Sequence, residues 1–252
     1  VDALTSVKAA NGTLSASEYK VASEEDLIEL ARLVNSGVST EGKTFYLAKD
    51  LDIGAYCDKE LAENRGGWTP IGDYSTNSSY IFKGTFDGNG HVIKNLKIDR
   101  DTANCQGLFG YAEGEIKNIG VVGASVKGKS YVGGLVGQGH GAVSNSYATG
   151  EVTGQADYVG GLVGQAGDTV TNSYATGAVT GQGSRVGGLV GGGGSVTNCY
   201  ATGAVTGQNT VGGLVGYAYG TVSNSYATGA VTGQNAVGGL VGQVQGAVSN
   251  SY

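Results

Sequence analysis

Few residues in this chain can move a proton or hold a cation, and most lie near the front. The stretch "FDGNGH" places Asp87 and His91 four positions apart, with Asp99 close behind. Two carboxylates and an imidazole are the groups that acid–base cleavage of a glycosidic bond or a metal site requires, as in the sugar-cleaving β-helix enzymes. The same six residues contain Asp-Gly and Asn-Gly, the strongest formers of tight turns, and a turn is the reading they favour. Asp50 and Asp52 alternate in "AKDLDIG" and share one face of a strand. Solvated strand charges explain them better than calcium, since the G-G-x-G-x-D calcium pattern is missing. Trp68 in "GGWTPIG" suits either a sugar platform or an anchor between a loop and the core, and the anchor is the commoner use. Neither His91 nor His140 sits in the H-E-x-x-H of a zinc protease.

Cysteine offers little more. Cys199 takes a repeat position that is serine at 146, 173, 225 and 251. The two side chains share smallness, so the position is cramped and inward and Cys199 is a buried free thiol. Cys57 and Cys105 are open to pairing, which their spacing does not decide. No residue set calls for a cofactor.

The elements that must position these groups are repeats. "VGGLVG" occurs at Val132, Val159, Val186, Val211 and Val237, at intervals of 27, 27, 25 and 26 residues. The asparagine of N-[SC]-Y recurs at 145, 172, 198, 224 and 250. A fixed period in this range marks a solenoid or an array. Glycine makes up 48 of 252 residues. Each interior glycine costs a helix about 1 kcal/mol, so helices are excluded from the repeats. Short β pieces remain: "GGLVG", "AVSNSYAT" and "EVTG". They predict a three-sided β-solenoid, a right-handed parallel β-helix of about seven coils with strands about 4.8 Å apart.

The stacked columns follow. Leu135, Leu162, Leu189, Leu214 and Leu240 line the core, with the columns begun by Val143 and Val152. The Gly-Gly pair lets the valine before it point inward as well. The asparagines form a ladder. Tyr147, Tyr174, Tyr200, Tyr226 and Tyr252 form another, directed outward because the neighbouring Ser/Cys points in. That aromatic ladder is the candidate ligand-stacking surface, for sugar or protein, though stabilising the stack is the reading it favours. Two threonine columns lie four residues apart across a glycine corner, on different faces, which argues against an ice-binding plane.

The chain divides into an N-terminal cap over residues 1–40, irregular coils over 41–130 and regular repeats over 131–252. Within the cap, "SEEDLIELARLVNSG" predicts a helix over about 24–36, with Ser23 as N-cap and Leu27, Leu30, Ala31 and Val34 on its buried face. It is placed to cover the first open sheet edge. The stop at Tyr252, inside a repeat, reads as a truncation, with further domains of the same polypeptide expected.

Composition narrows the function. Net charge is −6, and past Val132 the charged side chains are Glu151, Asp157, Asp168 and Arg185. No basic stripe exists for nucleic acid, and no apolar run reaches the ~20 residues of a membrane span. The five "GGLVG" copies and N-[SC]-Y-A-T-G, after "EDLIELARLVNSG", "WTPIGD" and "FKGTFDGNGHVIKNLKI", resemble the GLUG-motif family of bacterial surface and secreted proteins. Some members are similar to IgA-specific metalloproteases in their non-catalytic parts. The resemblance implies a parallel β-helix, export and a role as adhesin or stalk, and supplies no catalytic residues. The expected function is thus a non-catalytic extracellular scaffold or adhesion module meeting a host or matrix protein or glycan. The alternative is a polysaccharide-active lyase or hydrolase on the same fold.

Overall fold

The computed structural model describes residues 1–6 and 14–252. Two left-handed positions bend each regular coil. One is the asparagine, with φ of 48°, 50°, 54°, 49° and 48° at Asn145, Asn172, Asn198, Asn224 and Asn250. Its short amide tolerates this conformation. The other precedes each V-G-G, where Tyr131, Tyr158, Arg185, Thr210 and Ala236 have φ of 59°, 63°, 63°, 53° and 48°. So bent, the chain returns on itself once per repeat. Equivalent residues pair in parallel: Val132 with Val159, Val186, Val211 and Val237 in turn, and Val143 with Val170, Val196, Val222 and Val248.

The result is an all-β parallel solenoid that carries, among the described residues, two short α-helices. Its longest single path of paired strands runs from Glu18–Val21 through Thr44–Leu47, Thr85–Asp87 and Ile116–Lys117 to Val248–Ser249, nine strands in all. Among the described residues there are thus nine rungs, not about seven. The front rungs escaped the periodicity because insertions stretch it: Thr44 pairs with Thr85, 41 positions on, whereas Glu18 pairs with Thr44 at 26.

The three-sided expectation also needs correction. A regular coil such as 184–206 contains five strand segments, at Ser184–Gly187, Val190–Gly193, Val196–Thr197, Tyr200–Ala201 and Val205–Thr206. Across the coils these segments sort into four sheets. The physical reason is the left-handed asparagine, which splits "SVTNCYAT" into two strands, together with the Gly-Leu break inside "VGGLVG". Likewise Asn95, at φ 62°, divides "HVIKNLKI" into Val92–Lys94 and Lys97–Asp99.

The interior is one continuous column of apolar side chains. Leu135, Leu162, Leu189 and Leu214 are fully buried, as are the valines that precede the Gly-Gly pairs at 132, 159, 186 and 211. Each contributes roughly 1.5–3 kcal/mol. The Val143 column continues forward as Ile116, Phe86, Phe45 and Tyr19, so the narrow regular core becomes an aromatic one. Tyr19 stacks on Phe45 at 5.6 Å, and Phe82 and Phe86 pack on Phe109 at 5.0 and 5.2 Å.

Helix α1 spans Glu24–Val34 and buries the predicted face. Ser23 Oγ accepts from Asp26 N at 3.1 Å. The helix stops short of residue 36 because Asn35 caps it and Gly37 turns away at φ 87°. Helix α2, Gly54–Ala62, was not foreseen. It has a glycine in its first turn and no side-chain N-cap, so the usual start signal is missing. The three cysteines are all free and buried, so Cys57 and Cys105 do not pair.

Candidate ligand-binding face

Asp50, Asp52, Asp87, His91 and Asp99 are each engaged locally. Asp87 ends a strand, and its Oδ1 accepts from Asn89 N at 2.8 Å and Asn118 Nδ2 at 3.0 Å. Asn89 and Gly90 have φ of 54° and 80°, which makes the segment the expected turn. His91 Nδ1 lies 3.2 Å from Asp50 Oδ1, which also accepts from Val92 N at 3.1 Å. The Val92 amide, with help from His91, holds the Asp50 carboxyl below its ordinary range. Asp52 is held low by Asn95 and by the Gly54 amide. Asp99 faces Lys127 at 3.8 Å. Asp87, His91 and Asp99 therefore turn to three different partners. Trp68 is the buried anchor, its Nε1 donating to Leu108 O at 3.1 Å and its ring meeting Tyr56 edge-on.

The repeat columns divide into an inner polar spine and outer ladders. Ser146, Ser173, Cys199 and Ser225 are buried. Each serine hydroxyl donates to the carbonyl two residues earlier, at 2.7 Å for Ser173 to Thr171 and 2.8 Å for Ser225 to Ser223. It also accepts an amide from the preceding coil, as Ser173 Oγ does from Ser146 N at 3.2 Å. Smallness is thus only half the requirement at this position. Asparagine amides bond between coils from Asn145 to Asn118 and from Asn198 to Asn172, both at 3.1 Å.

The tyrosine ladder points outward, as alternation predicts. Centroids of Tyr147, Tyr174, Tyr200, Tyr226 and Tyr252 are spaced by 4.7, 4.7, 5.1 and 5.5 Å, with rings within 11° of parallel. Tyr147 in turn covers Gly120, where a Cβ would collide with the ring. Ring faces inside the stack are occupied by other rings, so the ladder presents edges and hydroxyls along its side.

A second aromatic group lies where the repeats differ from one another. Tyr131 stacks on Tyr158 at 4.9 Å. The Arg185 guanidinium sits 4.8 Å above the Tyr158 ring and 5.8 Å from that of Tyr217. Tyr158 Oη meets Tyr219 Oη at 3.1 Å, and Tyr217 meets Tyr219 edge-on at 4.6 Å. Burial and then the Tyr219 contact push the Tyr158 phenol up to about 12. Reading the constant positions misses this group. Comparing the variable ones finds it: positions 131, 158 and 185 form one column, and 192 and 217 belong to another.

Comparison with known proteins bears on these coils directly. Residues 128–153, 155–180, 182–206 and 207–232 each match the GLUG motif. Over 132 residues, 52% of the chain, the sequence is 36% identical to halomucin of Haloquadratum walsbyi. Over 85 residues it is 40% identical to a "Putative Gly-rich membrane protein" of Evansella cellulosilytica. The matched region spans 1% and 9% of those two proteins. The crystal structure of a "putative immunoglobulin A1 protease" from Bacteroides ovatus superposes with a TM-score of 0.71, covering 96% of this chain and 76% of that one at 24% identity. At that identity the likeness is one of fold.

Proposed function

For a chain whose regular coils are GLUG motifs, we propose a non-catalytic extracellular role as a rigid repeat rod in a surface protein, spacing or presenting regions that bind. The observation that carries this is the unbroken register of nine rungs, in which side chains of one coil stack on their equivalents in the next. Eight rung spacings of about 4.8 Å give a rod of about 40 Å. Relatives named halomucin and Gly-rich membrane protein support a place at the cell surface. The rod winds right-handed, as parallel crossovers strongly favour. Helix α1 acts as the cap of its first coils. The Tyr147-to-Tyr252 edge offers hydroxyls to a host or matrix protein or glycan.

Labelling intact source cells with an antibody to the repeats tests the location, and a glycan and matrix-protein screen tests the adhesion role. Surface labelling without release of reducing sugar is expected. Labelling only after lysis would contradict the location. Sugar release from a polysaccharide that stops in Asp87→Asn would replace the scaffold with an enzyme.

A further inference from the structure

The Arg185 face departs from the rest of the repeat surface in chemistry as well as in sequence. Past Val132 it holds the one cationic side chain. Nine ion pairs involve other residues, and among the described residues none reaches Arg185. Its guanidinium has two rings beside it, and among the described residues no carboxylate oxygen lies within 4.0 Å of it. Asp157, one residue before Tyr158, has its Oδ1 on Ser184 N at 2.7 Å. Arginine held against aromatic rings keeps its planar set of N–H donors, and these match a carboxylate.

The surrounding shape is stepped. Gly192 occupies the column between Gln165 and Tyr217, and the Tyr158 ring lies over it: a Cβ there would be 2.8 Å from Tyr158 Cε1. The Tyr158 ring fills the room that a side chain at Gly192 would take, and so lies low against the backbone. Tyr219 stands beside it, 41% exposed, with its ring edge-on to Tyr217. An exposed ring next to a recessed one suits a pyranose, which lays its C–H groups on an aromatic face and its hydroxyls against phenols.

We propose that Arg185, Tyr158, Tyr217 and Tyr219 form a binding site for a carboxylate-bearing sugar residue of a glycan. One unpaired cation on a nearly neutral surface matches one carboxylate. A nucleic acid or a strongly acidic peptide would require several cations. The site deepens the surface-rod reading and rests on it, since a glycan reaches this face only if the rod is displayed.

Calorimetric titration of the full chain with trigalacturonate and with sialyllactose tests the two common sources of a sugar carboxylate. Methyl-esterified trigalacturonate and lactose serve as neutral counterparts. At least one acid is expected to bind, with its neutral counterpart about tenfold weaker. Arg185→Gln is expected to weaken the acid by about tenfold to a hundredfold, and Tyr219→Ala by about tenfold. Glu151→Gln should leave binding unchanged. If circular dichroism shows that Arg185→Gln does not fold, Arg185→Lys keeps the charge without the fork and should bind about tenfold more weakly. Failure of both acids to bind at millimolar concentration overturns the site, as does equal binding of acid and neutral sugar, or full affinity in the arginine variants. Equal affinity for a polyglutamate peptide overturns its assignment to glycans. Cell labelling reads the surface location separately, so displayed protein that ignores both acids removes this site and leaves the rod.

Discussion

Gly188→Ala and Gly239→Ala are the same change in the same hexapeptide "VGGLVG", and they should behave oppositely. A Cβ at Gly188 would collide with the Gly213 carbonyl oxygen of the next coil and come within 2.9 Å of Ala201 Cβ. At Gly239 the same atom meets nothing within 4 Å. The obstacle at Gly188 is backbone, so relief requires the two coils to part. Three hydrogen bonds span that seam: Gly188 N to Gly212 O at 3.3 Å, Leu189 N to Leu214 O at 2.9 Å and Val190 N to Leu214 O at 3.1 Å. At about 1 kcal/mol each, losing them costs about 3 kcal/mol, and overpacking alone accounts for about 1–3 kcal/mol. For a chain of this size, about 3 kcal/mol lowers the melting temperature by about 6–12 °C. In the 252-residue chain, Gly239→Ala should lie within about 0.5 kcal/mol of wild type. Thermal and urea unfolding of the two variants, followed by circular dichroism, provide the comparison. Equal loss in both, or no loss in Gly188→Ala, would show that the coils do not stack at this pair of glycines.

Three further outcomes are expected. Gln106 stands where later coils place valine, and its buried Oε1 has no partner. Gln106→Val should raise the urea midpoint by the equivalent of about 1 kcal/mol, because an orphan buried acceptor costs about 1–3 kcal/mol and its two Nε2 bonds return only part of that. Burial pushes the Cys199 thiol up to about 11, so it should resist thiol reagents at pH 8 until the chain unfolds, and Cys199→Ser should hold or gain stability by restoring the serine spine. Burial alone would raise the Asp26 carboxyl, but hydrogen bonds from Thr5, Ala22 and Ser23 outweigh it and hold the pKa below its ordinary value of 3.8. Asp26 therefore contributes stability that is fully present above that value and fades as pH falls through the lower folded-state pKa. Urea titrations below pH 4 should show that loss in wild type and a flatter profile in Asp26→Asn.

The regular half of the molecule was legible because its code is redundant. Five copies of leucine, asparagine and tyrosine at one spacing leave few ways to stack them, and burial of Ser146, Ser173 and Ser225 beside outward tyrosines follows from alternation. The front half was less legible because one rung there is written over 41 residues, with α2 and a loop inserted, and its core column changes from valine to phenylalanine. The coil shape was misread because a left-handed asparagine inside an apparently continuous strand divides it without changing the hydrophobic pattern. The Arg185 group was missed for the opposite reason. It lies at positions where the copies disagree, and a search for repetition passes over them. The hydroxyl bonds of the serine spine are not legible either, since a cysteine at 199 in that column marks only size.

Stacking of one repeat on the next is tested most directly by couplings across the hydrogen bonds that join the leucine column. Leu135 N donates to Leu162 O at 3.0 Å, Leu162 N to Leu189 O at 2.9 Å, Leu189 N to Leu214 O at 2.9 Å and Leu214 N to Leu240 O at 2.8 Å. Nuclear magnetic resonance of the labelled chain should show a nitrogen-to-carbonyl coupling for each of these four pairs. Couplings confined to residues within one repeat would contradict the solenoid, and with it the rod.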